Sequence, residues 1–284
     1  MEADATPRCA QESLRVGEPL PGTAPHARRW VCVEHPGPWT ATPAHDPDPG
    51  IVRLAERATA EGWRLVLIRR PGPRRPIRRR RVYLADTDPS ASRLGELRVS
   101  ALRDVELDMA RAEPVPEPVL FVCGHGGRDR CCVIEGRPLA AELAGSGVAV
   151  WECSHLGGHR FAPTALVLPS GYAYGRLDVS ATLTAFDAAR AGEMELGRCR
   201  GRTTWPGPGQ VAELVVRATV GIWAVGALTV DVGDPKTPRV RHVDGRTWQV
   251  GLHRGALAGP RPSDCGGEPE PVSPLIAGPV EQVT

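Results

Sequence analysis

Between residues 121 and 162 the chain reads FVCGHGGRDRCC, then a helix-like run, then VWECSHLGGHRFA. Cys123 and Cys132 have eight residues between them, and His155 and His159 are separated by Leu156, Gly157 and Gly158. Two thiols and two imidazoles on neighbouring loops can close one four-ligand metal site. Gly157-Gly158 disfavours a helix by ~1 kcal/mol per glycine relative to alanine, so the histidines read as part of a tight loop that approaches a ligand closely. The plain alternative is two loop histidines without a ligand; cysteines on the facing loop make it the weaker reading. Cys131 and Cys132 are adjacent, and spacing does not decide which one points inward. Cys131 and Cys153 also read as small buried hydrophobes. His125 is an alternative ligand, Arg128 a charge neighbour of the site, and Asp129 a residue that fixes the loop.

Two metals fit a Cys2His2 set. Zinc would take it as a closed structural site. A [2Fe–2S] cluster would take it with two cysteines on one iron and two histidines on the other, as in Rieske centres. Zinc fingers favour a short C-x2–4-C knuckle, and the longer loop here suits the larger object, a modest preference for the cluster. A third reading, a thiol oxidoreductase using Cys123 with Cys131 or Cys132, lacks a C-x-x-C motif.

The elements that must position these residues follow from periodicity and turn chemistry. Residues 1–8 read as a loose lead-in. From 9 to 111 the pattern is an α/β unit, with strands near 29–34, 64–68, 82–84 and 96–99 and a helix over 51–61 whose apolar face carries Ile51, Leu54, Ala55 and Ala58. AEPVPEP at 112–118 marks a boundary. Residues 119–192 then read β, loop, α, β, loop, β, β, α: a buried strand ends at Cys123, a helix runs over 138–144, and the next strand, 148–151, ends near Cys153. Residues 165–168 and 172–174 flank Pro169-Ser170-Gly171, a hairpin signature, before a helix over 180–191. A strand, helix and strand in series imply a right-handed parallel crossover. Both loops then meet at the C-terminal edge of the sheet, where sites in open α/β folds are built. This order fits a thioredoxin-like domain, and the first unit reads as a degenerate copy of it without ligands. A small α/β unit spans 205–254, with a hairpin turn at Asp244-Gly245. The Pro- and Gly-rich stretch 255–284 is expected to be disordered.

Bulk composition constrains the rest. At 284 residues, 41% hydrophobic and 24% charged, the chain has the make-up of a globular protein of one or more domains. A formal charge of +2 argues against a broad nucleic-acid surface. The Arg-rich run RRPGPRRPIRRRR at 69–81 reads first as a solvated, Pro-broken loop between strands, and second as a patch for an acidic partner. The most apolar stretch, 218–230, is too short to span a bilayer, and MEADATPRCAQE lacks the basic-then-apolar pattern of a secretion signal. A cytoplasmic location is expected, where eight cysteines point to metal or redox chemistry before disulfides.

CGHGGRDRCC followed by VWECSHLGGHRFAPTALVLPSGYAYGR resembles the sucrase/ferredoxin-like family, a branch of thioredoxin-like [2Fe–2S] ferredoxins, and GTAPHARRWVCVEHPGPW resembles that family's opening region. The resemblance covers most of 9–255. It implies a cluster held by Cys123, Cys132, His155 and His159, with Cys132 chosen over Cys131 because relatives keep eight residues between the thiols. It implies a one-electron carrier that serves a reductase or oxidase partner and turns over no substrate itself; the word sucrase implies no sugar cleavage, and no carboxylate pair supports one. The alternative is a zinc-stabilised thioredoxin-like binding module. Two imidazoles in place of two thiolates imply a potential of about −150 to +300 mV, against about −400 mV for plant-type ferredoxins.

Overall fold

The computed structural model describes residues 8–283; residues 1–7, which make up most of the expected lead-in, and Thr284 lie outside the described residues. The first half of the chain forms α1 (Cys9–Arg15), β1 (Arg29–Glu34), α2 (Pro49–Ala60), β2 (Trp63–Arg69), β3 (Arg80–Asp86), β4 (Arg93–Val99) and the two-residue β5 (Glu113–Pro114). The second half forms β6 (Val119–Cys123), α3 (Arg137–Ala144), β7 (Val150–Cys153), β8 (Ala165–Leu168), β9 (Tyr172–Tyr174), α4 (Val179–Arg190) and β10 (Cys199–Arg202). Beyond it lie α5 (Gly207–Val220), β11 (Leu228–Asp231), β12 (Arg239–His242), β13 (Thr247–Arg254), β14 (Arg261–Pro262), β15 (Pro269–Glu270) and β16 (Leu275–Gln282). The fold is a mixed α/β structure.

Local chemistry accounts for the elements nearest the site. In α2, Pro49 occupies the first turn and the Asp48 carboxylate accepts from the Gly50 N–H at 2.8 Å, which satisfies one orphan donor of the helix start. Ile51, Leu54 and Ala58 recur at helical spacing and are the buried face. Strand β6, VLFVC, is buried at every position, as expected for a central strand covered on both faces.

The strands of both halves form one ten-stranded sheet in the order β10-β9-β8-β6-β7-β2-β1-β3-β4-β5. Each half repeats one topology. β1 runs parallel to β2, with α2 as the crossover, and β3 and then β4 add antiparallel on the far side of β1. β6 runs parallel to β7, with α3 as the crossover, and β8 and then β9 add antiparallel beyond β6. This is the arrangement that a second copy of one α/β unit would have. The halves join where the outer strands β2 and β7 pair antiparallel at Ile68–Cys153 and Arg69–Glu152. There Arg69 donates from Nε and Nη2 to Glu152 Oε2 at 2.8 and 2.6 Å, so the buried carboxylate at the junction is paired rather than stranded.

The C-terminal part differs from expectation. The stretch 255–284 carries β16, which pairs antiparallel with β13 and completes a four-stranded sheet, β11-β12-β13-β16, packed on α5. Pairing partners far away in sequence order this segment, and its Pro and Gly content conceals that. The α5 helix is fixed to the main sheet by Glu213, whose Oε1 accepts from Tyr172 Oη at 2.6 Å and from Arg217 Nη2 at 3.0 Å.

Candidate metal centre

Cys123 and Cys153 are register partners at the C-terminal ends of the parallel strands β6 and β7. The loops that follow carry the chemistry, and the sheet holds their starts side by side. After Cys123 the chain turns through GHGGRDRC and enters a π-helical turn, Cys132–Gly136, that continues into α3. That turn needs Gly136: a Cβ there would lie 2.0 Å from the Cys123 carbonyl oxygen, so the backbone carrying Cys132 is packed directly on the strand end carrying Cys123. After Cys153, Gly157 and Gly158 adopt φ values of +87° and +74°, which L side chains rarely adopt. They turn the histidine loop back over the sheet edge.

The ligating atoms of Cys123, Cys132 and His155 lie within 4.8 Å of one another. Both thiols are buried and His155 is half-buried. The Cys132 thiol donates toward Cys123, which holds Cys123 well below the usual thiol range despite the opposing effect of burial, while Cys132 is pushed up. His155 and the backbone N–H groups of His125 and Leu156 also favour the Cys123 thiolate, so one sulfur is gripped from both loops. The buried Nδ1 of His155 has no hydrogen-bond partner. Two buried thiols beside a buried, unsatisfied imidazole nitrogen are the donor chemistry a metal ligand set requires.

His159 stands next to this group. Its ring centroid is 5.4 Å from that of His155, and its Nδ1 lies 3.1 Å from Asp129 Oδ2. With Nδ1 held by a carboxylate, Nε2 is the atom left for a metal. Metal-bound histidines characteristically give their other ring N–H to such a partner. Burial pushes Asp129 up, but bonds from His159 and from the N–H groups of Cys265 and Cys131 outweigh it and hold the carboxyl well below the usual range. His125, the alternative ligand, lies outside the thiol group; it is buried with its ring edge-on to Trp39 at 5.9 Å and 6.5 Å from the His155 ring.

Cys131 belongs to a different group of potential ligands from Cys123. Its sulfur lies 3.7 Å from Cys9 Sγ and 3.2 Å from Cys265 Sγ, with Asp129 beside all three. The hydrogen bond from Cys9 brings Cys131 down to about 6. The adjacent pair is thus split between two constellations: Cys132 with Cys123 and His155, Cys131 with Cys9, Cys265 and Asp129.

A family model described as sucrase/ferredoxin-like matches residues 20–189, which include both loops of the site. The chain belongs to the sucrase/ferredoxin-like family. Neither a curated protein nor a solved structure gives a match. The family segment holds Cys123, Cys132, His155 and His159, whereas Cys9 and Cys265 lie outside it. Also outside it is Arg200, which the sequence reading passed over. Arg200 is buried, donates from Nη1 to the Gly157 carbonyl at 2.9 Å and from Nε to Thr23 Oγ1 at 3.1 Å, and also bonds the Thr23 carbonyl. A Cβ on Gly158 would meet its guanidinium at 2.2 Å. The arginine therefore clamps the histidine loop, and its charge is attracted to Cys123 and Cys132. No local pattern flags it: CRGR reads as exposed and basic, and only the placement of β10 buries it.

Proposed function

We propose that this sucrase/ferredoxin-like protein is a one-electron carrier whose [2Fe–2S] cluster is held by Cys123, Cys132, His155 and His159. The observation that supports this most is the grouping of donors by type: the Cys123 and Cys132 sulfurs and a His155 ring nitrogen lie within 4.8 Å of one another, and the His159 ring stands 5.4 Å from that of His155. That division matches a cluster with sulfur ligands on one iron and nitrogen ligands on the other. Such a cluster would supply the capacity to take up and release one electron.

The chain's own residues tune that capacity. Neutral imidazoles in place of two thiolates leave less negative charge on the donor set, which favours reduction. N–H groups directed at the Cys123 sulfur and the nearby Arg200 cation act in the same sense. Asp129 acts in the opposite sense through His159.

His155 borders an open cleft of about 940 Å³ between the loop at Arg128 and the first half of the chain, near Ala55 and Trp63. We take this cleft as the docking place of a reductase or oxidase partner, with the imidazole edge as the nearest donor group to it. No substrate turnover and no nucleic-acid or membrane partner is proposed. Among the described residues no helix is long and apolar enough to cross a membrane. A cytoplasmic setting, in which thiols stay reduced, suits the eight free cysteines.

The test is an absorption spectrum of the anaerobically purified protein with iron and sulfide analysis. Visible bands that bleach with dithionite, and two irons per chain, are expected. A protein that stays colourless after iron–sulfur reconstitution and holds zinc on Cys123 and Cys132 would instead be the zinc-stabilised module.

A further inference from the structure

The second thiol constellation is assembled from three distant parts of the chain. Cys9 comes from α1, Cys131 from the loop ahead of α3, and Cys265 from the segment between β14 and β15. Their sulfurs are separated by 3.7 Å (Cys9–Cys131), 3.7 Å (Cys9–Cys265) and 3.2 Å (Cys131–Cys265). Asp129 Oδ1 lies 3.7 Å from Cys9 Sγ and 3.3 Å from Cys265 Sγ. Sulfurs at about 2.3 Å and an oxygen at about 2.0 Å from a tetrahedral centre stand about 3.8 Å (S···S) and 3.5 Å (S···O) apart. The separations that Cys9 makes with both sulfurs, and Asp129 with Cys9 and Cys265, are close to that shell, the Cys131–Cys265 pair is shorter, and all four ligand atoms lie within 4.8 Å of one another. None of the three cysteines is in a disulfide, and Cys9 and Cys131 are fully buried.

We infer that Cys9, Cys131, Cys265 and Asp129 form a second metal site, taking a single tetrahedral divalent ion of the zinc class. A thiolate-rich, closed set of four selects a soft or borderline ion and leaves no open position for substrate. The site would be structural. It ties α1 and the segment after β14 to the loop that carries Cys132. Asp129 serves both constellations: Oδ1 lies by the Cys9 and Cys265 sulfurs and accepts from the Cys131 N–H at 2.8 Å, while Oδ2 lies 3.7 Å from Cys9 Sγ, accepts from the Cys265 N–H at 2.8 Å and lies 3.1 Å from His159 Nδ1. The two sites thus share one carboxylate.

The experiment uses the full chain, purified anaerobically, with zinc and iron counted by elemental analysis. Wild type and Cys123→Ser are expected to hold close to one zinc per chain. Cys265→Ser and Cys9→Ser are expected to lose it while the visible bands of the first site persist. Because a variant can fail to fold, wild type stripped of zinc is also titrated with cobalt(II); sulfur-to-cobalt charge-transfer bands saturating at one equivalent are expected. Zinc retained in Cys265→Ser but lost in Cys123→Ser would overturn the inference, as would failure of wild type to bind either ion. A Cys131–Cys265 disulfide found by non-reducing peptide mapping of native protein would overturn it too. The inference does not rest on the iron–sulfur reading: a protein without visible bands but with zinc lost only in the Cys9 and Cys265 variants would sink that reading and support this one.

Discussion

Asp129 Oδ2 sits 3.1 Å from His159 Nδ1, with the carboxylate side chain almost wholly buried. A buried anion behind a metal-bound imidazole makes the ring a stronger electron donor and opposes the arrival of an electron. Asp129→Asn should therefore raise the reduction potential. A buried unit charge that close to the donor set is worth on the order of tens of mV for one electron. A spectroelectrochemical titration reads this directly. An unchanged or lower potential would show that Asp129 does not act through His159.

Arg200 predicts the opposite shift. Removing a buried cation that is attracted to the Cys123 and Cys132 sulfurs should lower the potential by a similar amount in Arg200→Gln. It should also loosen the loop whose Gly157 carbonyl it binds, seen as faster amide exchange over 154–161. A normal potential with normal exchange would assign Arg200 to packing alone.

The adjacent cysteines predict a clean separation. Cys132→Ser should abolish visible absorption and iron binding, and Cys131→Ser should keep both. If Cys131→Ser loses the cluster while Cys132→Ser retains it, the ligand assignment is wrong by one residue.

Gly136→Ala should be among the most damaging single-methyl additions in the chain. Its Cβ would meet the Cys123 carbonyl oxygen at 2.0 Å, a backbone atom that cannot swing aside. Overpacking of this kind costs about 1–3 kcal/mol, occasionally more, and here the strain falls between two proposed ligands. A lower denaturation midpoint together with reduced iron content is expected; an unperturbed variant would contradict the placement of the π-helical turn.

Glu18 gives a pH-dependent prediction. Its carboxylate accepts from Arg261 Nε and Nη2, each at 2.7 Å, and from Arg160 Nε at 2.9 Å. Burial opposes ionisation, but these cations outweigh it and lower the folded-state value below the ordinary 4.5. The stabilisation is therefore complete above about pH 4.5 and is lost as pH falls below it toward the folded value. Glu18→Gln should lower stability at neutral pH by removing the buried carboxylate that Arg261 and Arg160 share, and should flatten the acid limb of stability against pH. An acid limb as steep as wild type would refute the assignment.

Much of this was legible in the sequence, for reasons particular residues make plain. Ile51, Leu54 and Ala58 announce α2, the unbroken apolar run VLFV announces β6, and Asp244-Gly245 announces the β12–β13 turn. The two site loops were legible because cysteine and histidine are chemically distinctive and glycine marks the turn. What escaped depends on contacts distant in sequence. Arg200 and Arg202 are buried in β10 although a CRGR segment reads as surface. The antiparallel join of β2 and β7 has no local signal, since it rests on two residue pairs more than eighty positions apart. Cys9 and Cys265 read as isolated residues near the ends of the chain, and only the fold brings their sulfurs to Cys131.

The most direct test of the proposed centre is pulsed electron paramagnetic resonance of the dithionite-reduced protein, read for nitrogen hyperfine coupling. Two inequivalent strongly coupled nitrogens are expected, one lost in His155→Cys and the other in His159→Cys. A reduced cluster with no strongly coupled nitrogen, or no paramagnetic signal after reconstitution and reduction, would contradict the account.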